Sequence, residues 1–351
     1  MRDVINCIEK YMEAIENENF IIHWKKLASK LIAGIRGEYE KRSHEPSIVK
    51  LIRNIINSIG QFKTEDKKLS ITTKSVFIHG NKSKVEFEFH GNKTKRELGD
   101  IIFVLSVVYN SKKYFEKITI TQFKKSSKAS WDLRSDSTKE QLYLLSRFPT
   151  FRGADKSLIP KKDYNLPNYS KCLGTHGLLY YPGDFAIISS NLLECILSNR
   201  KRLNLEDLLL YYRFVSNYRT YLDDIFDLIY LLYGFRYFRF PFLSLPLLGN
   251  SCIAYNSYEF SDKYLRGLIG EMIYARNIPY NRPALLFLQD LLLAIKRKAQ
   301  KENQKDILEF VYSFFQYAYA DGQGREGFDE FDYEGGGIGI VHTTINLGES
   351  K

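Results

Sequence analysis

The spacing of apolar residues predicts two amphipathic helical segments at the start of the chain. Apolar residues recur every three or four positions over residues 3–34 and again over residues 46–59, which is the period of one helix face. Gly34 and Gly37 indicate a break between the two segments. Pro46 suits the first turn of a helix, so the second helix is expected to begin just before it.

Short apolar runs rich in β-branched and aromatic residues predict strands in the region that follows. Residues 71–78 and 85–89 predict a hairpin, and the second of these runs alternates apolar and polar side chains, which indicates one buried face. Residues 101–109 and 118–125 predict two further strands. Their nearly continuous apolar character is typical of strands that are covered on both faces. The order helix, hairpin, strand, strand predicts an α-β-β-β core.

Polar residues stand at the ends of the last two predicted strands. Asp100 precedes one strand, and Gln122 and Lys124 close the other. Side chains alternate along a strand, so Gln122 and Lys124 share one face while Phe123 faces the opposite layer. If the two strands are neighbours, the three polar side chains converge. Mg²⁺ prefers hard oxygen ligands, and the Asp100 carboxylate, the Gln122 amide and the Phe123 carbonyl offer such oxygens.

This pattern resembles the PD-(D/E)XK nuclease superfamily, specifically the branch with a final Q-x-K motif to which Mrr-type restriction enzymes belong. The resemblance is carried by Gly99-Asp100 and by Gln122-Phe123-Lys124, and it covers roughly residues 43–150. It implies a nuclease with Mg²⁺ or Mn²⁺ as cofactor. Asp100 and Gln122 would hold the metal, and Lys124 would act on the attacking water or on the charge that develops on phosphate. Because glutamine replaces the usual acid, metal affinity is expected to be weak until phosphate supplies oxygens.

The resemblance also implies a second carboxylate from the first core helix. Glu45 stands at the start of that helix in the matching place, so it is a candidate catalytic residue and metal ligand, although Glu38 or Glu40 could serve instead. The alternative is that Glu45 only interacts with the positive end of the helix dipole. The sequence leaves both interpretations open.

Two further residues are second-rank candidates. Glu97 lies three residues before Asp100, and in a straight strand the two would face opposite ways. A bend at Gly99 would let both reach the site. Gln141 and Tyr143 resemble the Q-x-x-Y-like motif that follows the lysine in RecB-type members, although the spacing differs. The ordinary interpretation of Gln141 is a surface residue on a helix.

The net charge of +10 is concentrated in the part of the chain that carries the candidate site. Residues 1–157 contain 30 Lys and Arg against 19 Asp and Glu, and the remaining residues are nearly neutral. A basic surface favours a polyanion such as nucleic acid, but a Lys-rich composition typical of AT-rich genomes would give the same excess. The candidate phosphate contacts lie in a basic loop over residues 91–96 and after the last predicted strand: Lys93, Lys95, Arg96, Lys125 and Lys128.

The second half of the chain is dominated by helical patterns, which fall at residues 191–198, 204–218, 222–233, 262–276, 282–299 and 306–319. Tyr and Phe alternate with Arg between residues 213 and 239. Such a stretch is typical of core packing, or of an interface with a partner protein or a second copy of the chain, and less often of a groove that stacks nucleic-acid bases. An acidic run over residues 329–334 predicts a surface loop, and residues 338–345 predict a strand added to the sheet edge.

Together these patterns predict an α/β (α+β) restriction-endonuclease-like core with a mixed sheet, followed by a mostly α-helical C-terminal region. The predicted organisation is a helical segment over residues 1–42, the nuclease-like core over residues 43–158, and a helical region over residues 159–351 that ends in a strand.

Several classes of protein are disfavoured. The sequence contains no Walker A motif, which argues against an NTPase, and no run of about twenty uncharged apolar residues that would predict a membrane span. The four cysteines are widely spaced, which argues against a disulfide framework, and Cys172 with His176 lacks the second close pair of a zinc site. The N-terminal segment is charged throughout and lacks the pattern of a secretory signal. We therefore expect a cytoplasmic protein without membrane contact.

The function predicted from the sequence is a Mg²⁺-dependent endonuclease that acts on DNA, in the setting of prokaryotic restriction or anti-phage defence that the family implies. The alternative is a nuclease-like fold without cleavage, which binds nucleic acid or a partner protein as a subunit of a larger complex. A third interpretation is a structural subunit that forms an oligomer through its aromatic helical half.

Overall fold

The computed structural model describes residues 2–59, 61–64, 68–79, 83–132, 134–198, 200–208, 253–275, 278–319 and 337–348. The helices of this part are α1 (Arg2–Glu16), α2 (Glu18–Glu40), α3 (Glu45–Ile59), α4 (Asp136–Arg147), α5 (Ser190–Leu197), α6 (Ser257–Leu265), α7 (Arg282–Lys301) and α8 (Lys305–Phe315). The strands are β1 (Gln61–Lys63), β2 (Leu69–His79), β3 (Lys84–Phe89), β4 (Asn92–Glu97), β5 (Ile101–Tyr109), β6 (Lys112–Ser126), β7 (Ser130–Asp132), β8 (Phe151–Gly153), β9 (Gly174–Tyr180), β10 (Asp184–Ser189), β11 (Arg202–Asn204), β12 (Ile253–Ala254), β13 (Glu271–Ala275), β14 (Ala318–Tyr319) and β15 (Gly337–Leu347).

One large mixed sheet joins strands from both halves of the chain. Its order is β1-β2-β15-β5-β6-β9-β10-β12, and β13 and β14 also pair with β6. β15 runs parallel to β5 and β9 runs parallel to β6, whereas β5 and β6 are antiparallel neighbours. Strands β4, β3 and β8 form a small separate sheet. The coarse prediction of an α/β protein with a mixed sheet is confirmed.

Helices cover both faces of the large sheet, which explains why its central strands are apolar on both sides. One apolar cluster joins α1, α2, α3 and α6 to sheet residues such as Phe103 and Phe123. The clusters on the opposite face join α4, α5, α7 and α8 to sheet residues such as Ile102 and Ile120. The predicted alternation along β6 is therefore confirmed, because Phe123 packs into a different layer from Ile120.

The strands that carry the candidate site are adjacent, as the sequence predicts. β5 and β6 pair with Ile101 opposite Thr121. Helix α4 follows β6, and β9 then pairs with β6 in parallel. Phe123 lies over Gly177, where an added Cβ atom would come within 2.2 Å of the ring. The absence of a side chain at Gly177 therefore allows the two strands to keep this packing.

The predicted hairpin over residues 71–78 and 85–89 is wrong. β2 pairs with β1 and β15, whereas β3 pairs with β4 and β8 in the small sheet. The predicted basic loop over residues 91–96 is mostly strand β4, and the chain turns back between β3 and β4 at His90 and Gly91, which both have positive φ. Local alternation predicts the strands but not their partners, because pairing between distant segments depends on the whole fold.

The prediction that residues 159–351 are mostly helical is confirmed only in part, because the described part of that region contains long helices but also many strands. It contributes β9, β10, β12, β13, β14 and β15 to the large sheet, so the strands of that sheet come from both sides of residue 158. β15 lies between β2 and β5 rather than at the sheet edge. It therefore separates strands that the expected α-β-β-β core would place in succession.

Individual helices agree better with the prediction. α3, α5 and α7 lie where apolar periodicity places them. α2 continues through Gly34 and Gly37: its buried face extends past Gly34 to Ile35, and the partly buried Tyr39 beyond Gly37 packs against the same apolar cluster. Residues 262–276 contain the end of α6 and strand β13 instead of one helix. Four predicted features lie wholly or largely outside the described residues: the helices over residues 204–218 and 222–233, the aromatic stretch over residues 213–239, and the acidic run over residues 329–334.

Two findings bear on the expected class of protein. No helix among the described residues has the length and apolar character needed to cross a membrane. Cys7 and Cys195 are free thiols, whereas Cys172 is disulfide-bonded, although the spacing of the cysteines argues against a disulfide framework.

Candidate active site

β6 extends beyond its neighbour β5 at the candidate site, and within the described part of the chain no strand pairs with its last residues on that side. The backbone N–H groups of Phe123 and Lys125 would therefore be unpaired. Asp100 Oδ2 accepts a hydrogen bond from Phe123 N at 2.6 Å, and Glu45 Oε2 accepts one from Lys125 N at 2.6 Å. Two carboxylates from distant parts of the chain take the place of a strand and are held two residues apart along β6.

Amide hydrogen bonds orient the Asp100 carboxylate. Gln122 Nε2 donates to Asp100 Oδ2 at 2.6 Å, and Gln141 Nε2 donates to Gln122 Oε1 at 3.0 Å. Gln141 is 7% exposed, so its interpretation as a surface residue is wrong, and α4 brings it into the site. Because Gln141 occupies the amide oxygen, Gln122 presents its NH₂ group to Asp100. Gln122 is arranged as an orienting residue, and it would have to release Gln141 to bind a metal through its oxygen.

Lys124 and Glu45 meet at the same end of the sheet. Lys124 Nζ lies 3.5 Å from Glu45 Oε1, and the two side chains are 33% and 27% exposed, so solvent and ligands reach this pair. Glu45 occupies the first turn of α3, where the helix dipole favours a carboxylate. Its contacts with Lys124 and with Lys125 N add to that effect and turn the carboxylate towards β6. The alternative candidate Glu38 instead pairs with Lys41 at 3.1 Å.

Burial makes ionisation of the neighbouring acids unfavourable. It raises the pKa of Asp100 to about 7, against the opposing effects of a backbone hydrogen bond and of the Lys124 charge. Burial also raises the pKa of Glu97, which the nearby lysines lower and Glu45 raises further. Asp100, Glu97 and Glu45 therefore share the field of the Lys124 ammonium group, and Glu97 is also affected by Lys84. Perturbed carboxyl groups beside a lysine are typical of functional sites.

The bend expected at Gly99 brings Glu97 towards the site. β4 ends at Glu97, and an irregular segment over residues 98–100 leads into β5. Gly99 lies so close to β6 that an added Cβ atom would meet Ile120 Cγ2 at 2.9 Å. Since Glu97 contributes to the raised pKa of Asp100, the two carboxyl groups are near enough to interact.

The side chains at this site could supply some, but not all, of the ligands that a divalent ion needs. The hydrogen bonds that Asp100 accepts from described residues arrive at Oδ2, so Oδ1 is the oxygen that a cation would meet. Mg²⁺ is commonly held by one or two carboxylates, with water and substrate phosphate completing its shell. Asp100 and Glu45, which accept from N–H groups two residues apart on β6, are the carboxylates that this end of the strand could offer. Among the described residues, no three His, Cys, Asp or Glu side chains form a group that could hold a metal. A metal here would therefore depend on amide, carbonyl or phosphate oxygens as well.

The first set of predicted phosphate contacts lies on β4. Lys95 pairs with Glu86 at 2.8 Å, and Arg96 pairs with Glu140. These acids partly neutralise the two cations. Lys93 is exposed at the start of the same strand, so it is the member of this set that best suits a phosphate contact.

The second set follows Lys124 at the end of β6. Lys125 Nζ donates to Ser43 O at 2.7 Å and lies 4.8 Å from the centre of the Tyr39 ring, so this cation is fixed against the N-terminal helices. Lys128 is exposed. It is closer in the chain to Lys124 than the cations of β4 are, and it extends the basic surface beyond the strand.

One histidine beside this site enters the sequence-based prediction only with Cys172, in a zinc site that the spacing disfavours. His176 pairs with Gln122 across β9 and β6 and is 1% exposed. In the sequence it is a single histidine inside the apolar, glycine-containing run over residues 174–180. That run is not predicted as a strand, so the position of the histidine beside the motif could not be inferred.

Comparison with known proteins adds no functional assignment. No protein-family model, no curated protein and no solved structure matches the chain. The functional argument therefore depends on the geometry of Asp100, Gln122, Lys124 and Glu45.

Proposed function

We propose that this protein is a metal-dependent nuclease that hydrolyses phosphodiester bonds, with DNA as its substrate. The observation that carries the proposal is that the three motif residues and the Glu45 carboxylate meet at one end of the β5–β6 pair. A chance match of motif letters would not require Asp100 to contact Gln122, or Lys124 to lie beside a carboxylate from α3.

Each residue has a separate role in the proposed reaction. Asp100 and Glu45 would hold the divalent ion, and Gln122 keeps the Asp100 carboxylate in place through its amide hydrogen bond. Lys124 orients the attacking water and faces the negative charge that develops on phosphate. When bound, the ion supplies Lewis-acid stabilisation of that charge and favours deprotonation of water.

The charge distribution supports a polyanionic substrate. The basic excess of the chain lies in residues 1–157, and Lys93 and Lys128 are exposed. Contacts of this kind bind the phosphate backbone without reading sequence. A DNA strand held by such residues would present its phosphates to the end of β6.

Incubation with supercoiled plasmid, single-stranded DNA and RNA, each with Mg²⁺, Mn²⁺ or EDTA, tests the proposal. We expect cleavage of DNA with either metal and none with EDTA. Lys124→Ala is expected to lose cleavage but keep binding, and Lys112→Ala, which removes an exposed lysine at the far end of β6, is the matched control. If the folded wild-type protein cleaves none of the three substrates with either metal, the proposal is wrong.

A second candidate function is a nuclease-like subunit that binds nucleic acid or a partner protein without cleavage. The specific observation in its favour is that both carboxylates already accept hydrogen bonds from the β6 backbone, while Gln122 supplies no charge. In that case divalent ions would not stabilise the protein, and Lys124→Ala would change little. Thermal unfolding with and without Mn²⁺ separates the two functions before any substrate is known.

A further inference from the structure

Tyr181 presents an aromatic ring to solvent in the turn between β9 and β10. The residue is 69% exposed, and its ring meets the partly buried ring of Tyr39 on α2 edge to face, with the ring centres 6.5 Å apart. A single exposed tyrosine is ordinary on a protein surface. Two rings that support each other beside a candidate active site are less ordinary, because the exposed face can stack on another flat group. We call this pair the tyrosine platform.

The platform is fixed by the elements that meet beneath it. An added Cβ atom at Gly183, in the same turn, would lie 2.3 Å from Arg36 Cα, so the turn packs directly on the backbone of α2. Tyr39 Oη donates to Ser126 O at 3.5 Å, and Lys125 Nζ lies 4.8 Å from the centre of the Tyr39 ring. Because α2, β6 and the turn hold the rings in place, little conformational freedom would be lost when a ligand stacks on them.

The platform continues the surface of the candidate active site. Tyr180 pairs with Ser126 on β6, and Ser126 lies about 7 Å along the strand from Lys124. Glu45 connects the two regions, because its Oε2 accepts from the β6 backbone and its Oε1 lies 3.5 Å from Lys124 Nζ. Burial, and to a lesser extent the Glu45 charge, raises the pKa of Tyr39, so this phenol and the carboxylate are near enough to interact. A ligand that extends from Lys124 along the end of β6 would therefore reach the platform.

The surface around the platform is basic. Over residues 36–42 and 125–128, the exposed charged side chains are four cations and one acid: Arg36, Lys41, Arg42 and Lys128 against Glu40. Lys41 also pairs with the partly exposed Glu38, and Lys125 adds a cation beside the Tyr39 ring. Cations of this kind attract a phosphate backbone without reading its sequence. The charge around the rings therefore suits a polyanion better than the apolar surface of a partner protein.

The aromatic rings add a preference that phosphate contacts do not provide. In a duplex the faces of the bases are covered by stacking, so a base must leave the stack before a protein ring can cover it. A positively charged surface that carries aromatic side chains is the arrangement by which proteins hold single strands. The combination of rings and cations therefore suits an unpaired nucleotide.

We propose that Tyr181, supported by Tyr39, stacks on an unpaired base of single-stranded DNA next to the proposed cleavage site. The protein therefore binds single strands, and the unpaired ends of duplexes, more tightly than fully paired DNA. This role requires no metal ion, because side chains alone make the base and phosphate contacts. The inference rests on the proposed function, since it takes DNA as the ligand, and it narrows the substrate to unpaired strands.

Binding of a labelled single-stranded thymidine oligonucleotide to the full-length protein, followed by fluorescence anisotropy in EDTA, tests the assignment without cleavage. Tyr181→Ala should weaken binding by at least about fivefold, whereas Tyr181→Phe, which keeps the ring, should stay within about twofold of wild type. Tyr280→Ala is the matched control. Tyr280 is 62% exposed and lies just before α7, so its replacement should change the affinity by less than about twofold.

An oligomer of abasic nucleotides of the same length separates stacking from other effects of the substitution. The wild-type protein is expected to bind it at least about fivefold more weakly than the thymidine oligonucleotide. Tyr181→Ala should then lower the affinity for the abasic oligomer by less than about twofold, because the ring has no base to contact. A fully paired duplex should likewise show almost no effect of the substitution.

The outcomes separate this inference from the proposed function. Equal affinity of the wild-type protein for the two oligomers, or an equal effect of Tyr181→Ala on both, overturns the platform, and the nuclease proposal survives if DNA is still bound and cleaved with metal. Tyr181-dependent binding by a protein that cleaves nothing with Mg²⁺ or Mn²⁺ supports the platform and contradicts the nuclease. No binding of DNA by the folded wild-type protein, in EDTA or with Ca²⁺, contradicts both. If Tyr181→Ala does not fold, Tyr181→Leu, which should weaken binding similarly, and the two oligomers with the wild-type protein decide the question.

Discussion

Replacement of Asp100 by asparagine is expected to stabilise the metal-free protein at neutral and alkaline pH while removing the proposed activity. Asparagine has nearly the same shape and keeps an oxygen that can accept the hydrogen bonds from Phe123 N and Gln122 Nε2. The substitution therefore removes mainly the titration of the carboxyl group. Burial raises the pKa of this group from its ordinary value of 3.8 to about 7, so the ionised form is the unfavourable one.

The sign of the pH dependence follows from the protons bound in each state. Folded Asp100 keeps its proton up to about pH 7, whereas the unfolded chain loses that proton near pH 3.8. Between these values the folded state binds more protons, so its stability falls as the pH rises. The contribution is fully present below the lower value and lost above the higher one. A shift of about three units corresponds to roughly 4 kcal/mol, and the partial exposure of Asp100 reduces the expected loss to about 2–4 kcal/mol.

The contribution of Asp100 ionisation to stability can be measured by urea unfolding at pH 5 and pH 8. The wild-type protein and Asp100→Asn are compared, both in EDTA. Because part of the contribution is already lost at pH 5, the free energy of unfolding of the variant relative to wild type is expected to rise by about 1–3 kcal/mol between the two pH values. The exposed acid Asp163 provides a matched control, and Asp163→Asn should show no comparable change. If the difference between Asp100→Asn and wild type is the same at both pH values, burial does not govern the ionisation of Asp100 and the reasoning is refuted.

Three further substitutions test separate parts of the structure. Lys124→Ala should reduce the cleavage rate at least about a hundredfold and leave DNA affinity within about twofold, as measured by plasmid cleavage and fluorescence anisotropy. Gln141→Leu leaves Gln122 Oε1 unpaired, so it should lower the free energy of unfolding by about 1–3 kcal/mol and slow cleavage. Glu116→Leu leaves the 1% exposed Lys113 ammonium without the carboxylate 2.8 Å away, so it should destabilise by about 3–5 kcal/mol, and adding Lys113→Met should recover most of that loss.

Each of these expectations has a result that contradicts it. Equal loss of binding and cleavage in Lys124→Ala would assign the lysine to substrate binding rather than to the reaction. Unchanged stability in Gln141→Leu would mean that water replaces the amide. A double variant as unstable as Glu116→Leu alone would show that the loss comes from other contacts of Glu116, such as the hydrogen bond from Ser106 Oγ at 2.6 Å.

The meeting of Asp100 with Gln122 could be predicted because the two strands that carry them are consecutive. A tight turn at Asn110 and Ser111, which both have positive φ, joins β5 to β6, and consecutive strands with a short connection are usually antiparallel neighbours. Once the pair forms, alternation along β6 fixes which side chains face Asp100. This part of the site depends on local sequence alone.

The remaining parts of the site depend on pairing between distant segments. β15 reaches its place between β2 and β5 from the far end of the chain, and His176 reaches Gln122 only because β9 pairs in parallel with β6 after α4. A shift of one residue in that register would move every side chain to the other face. Apolar periodicity predicts that such strands exist but does not specify their neighbours, so neither β15 nor His176 could be placed from the sequence.

The open edge of β6 requires hydrogen-bond acceptors, but it does not require charges. An asparagine or glutamine would accept from Phe123 N as well as Asp100 does, without the unfavourable ionisation that raises the pKa of Asp100 to about 7. The hydrogen bond to the strand edge therefore explains where the Asp100 carboxylate lies. It does not explain why this residue is an acid beside Glu97, Glu45 and Lys124. Natural proteins keep such unfavourable local arrangements mainly where function requires them. A cation held among these oxygens would offset the cost of ionisation, and this connects the strained electrostatics of the site to the chemistry proposed for it.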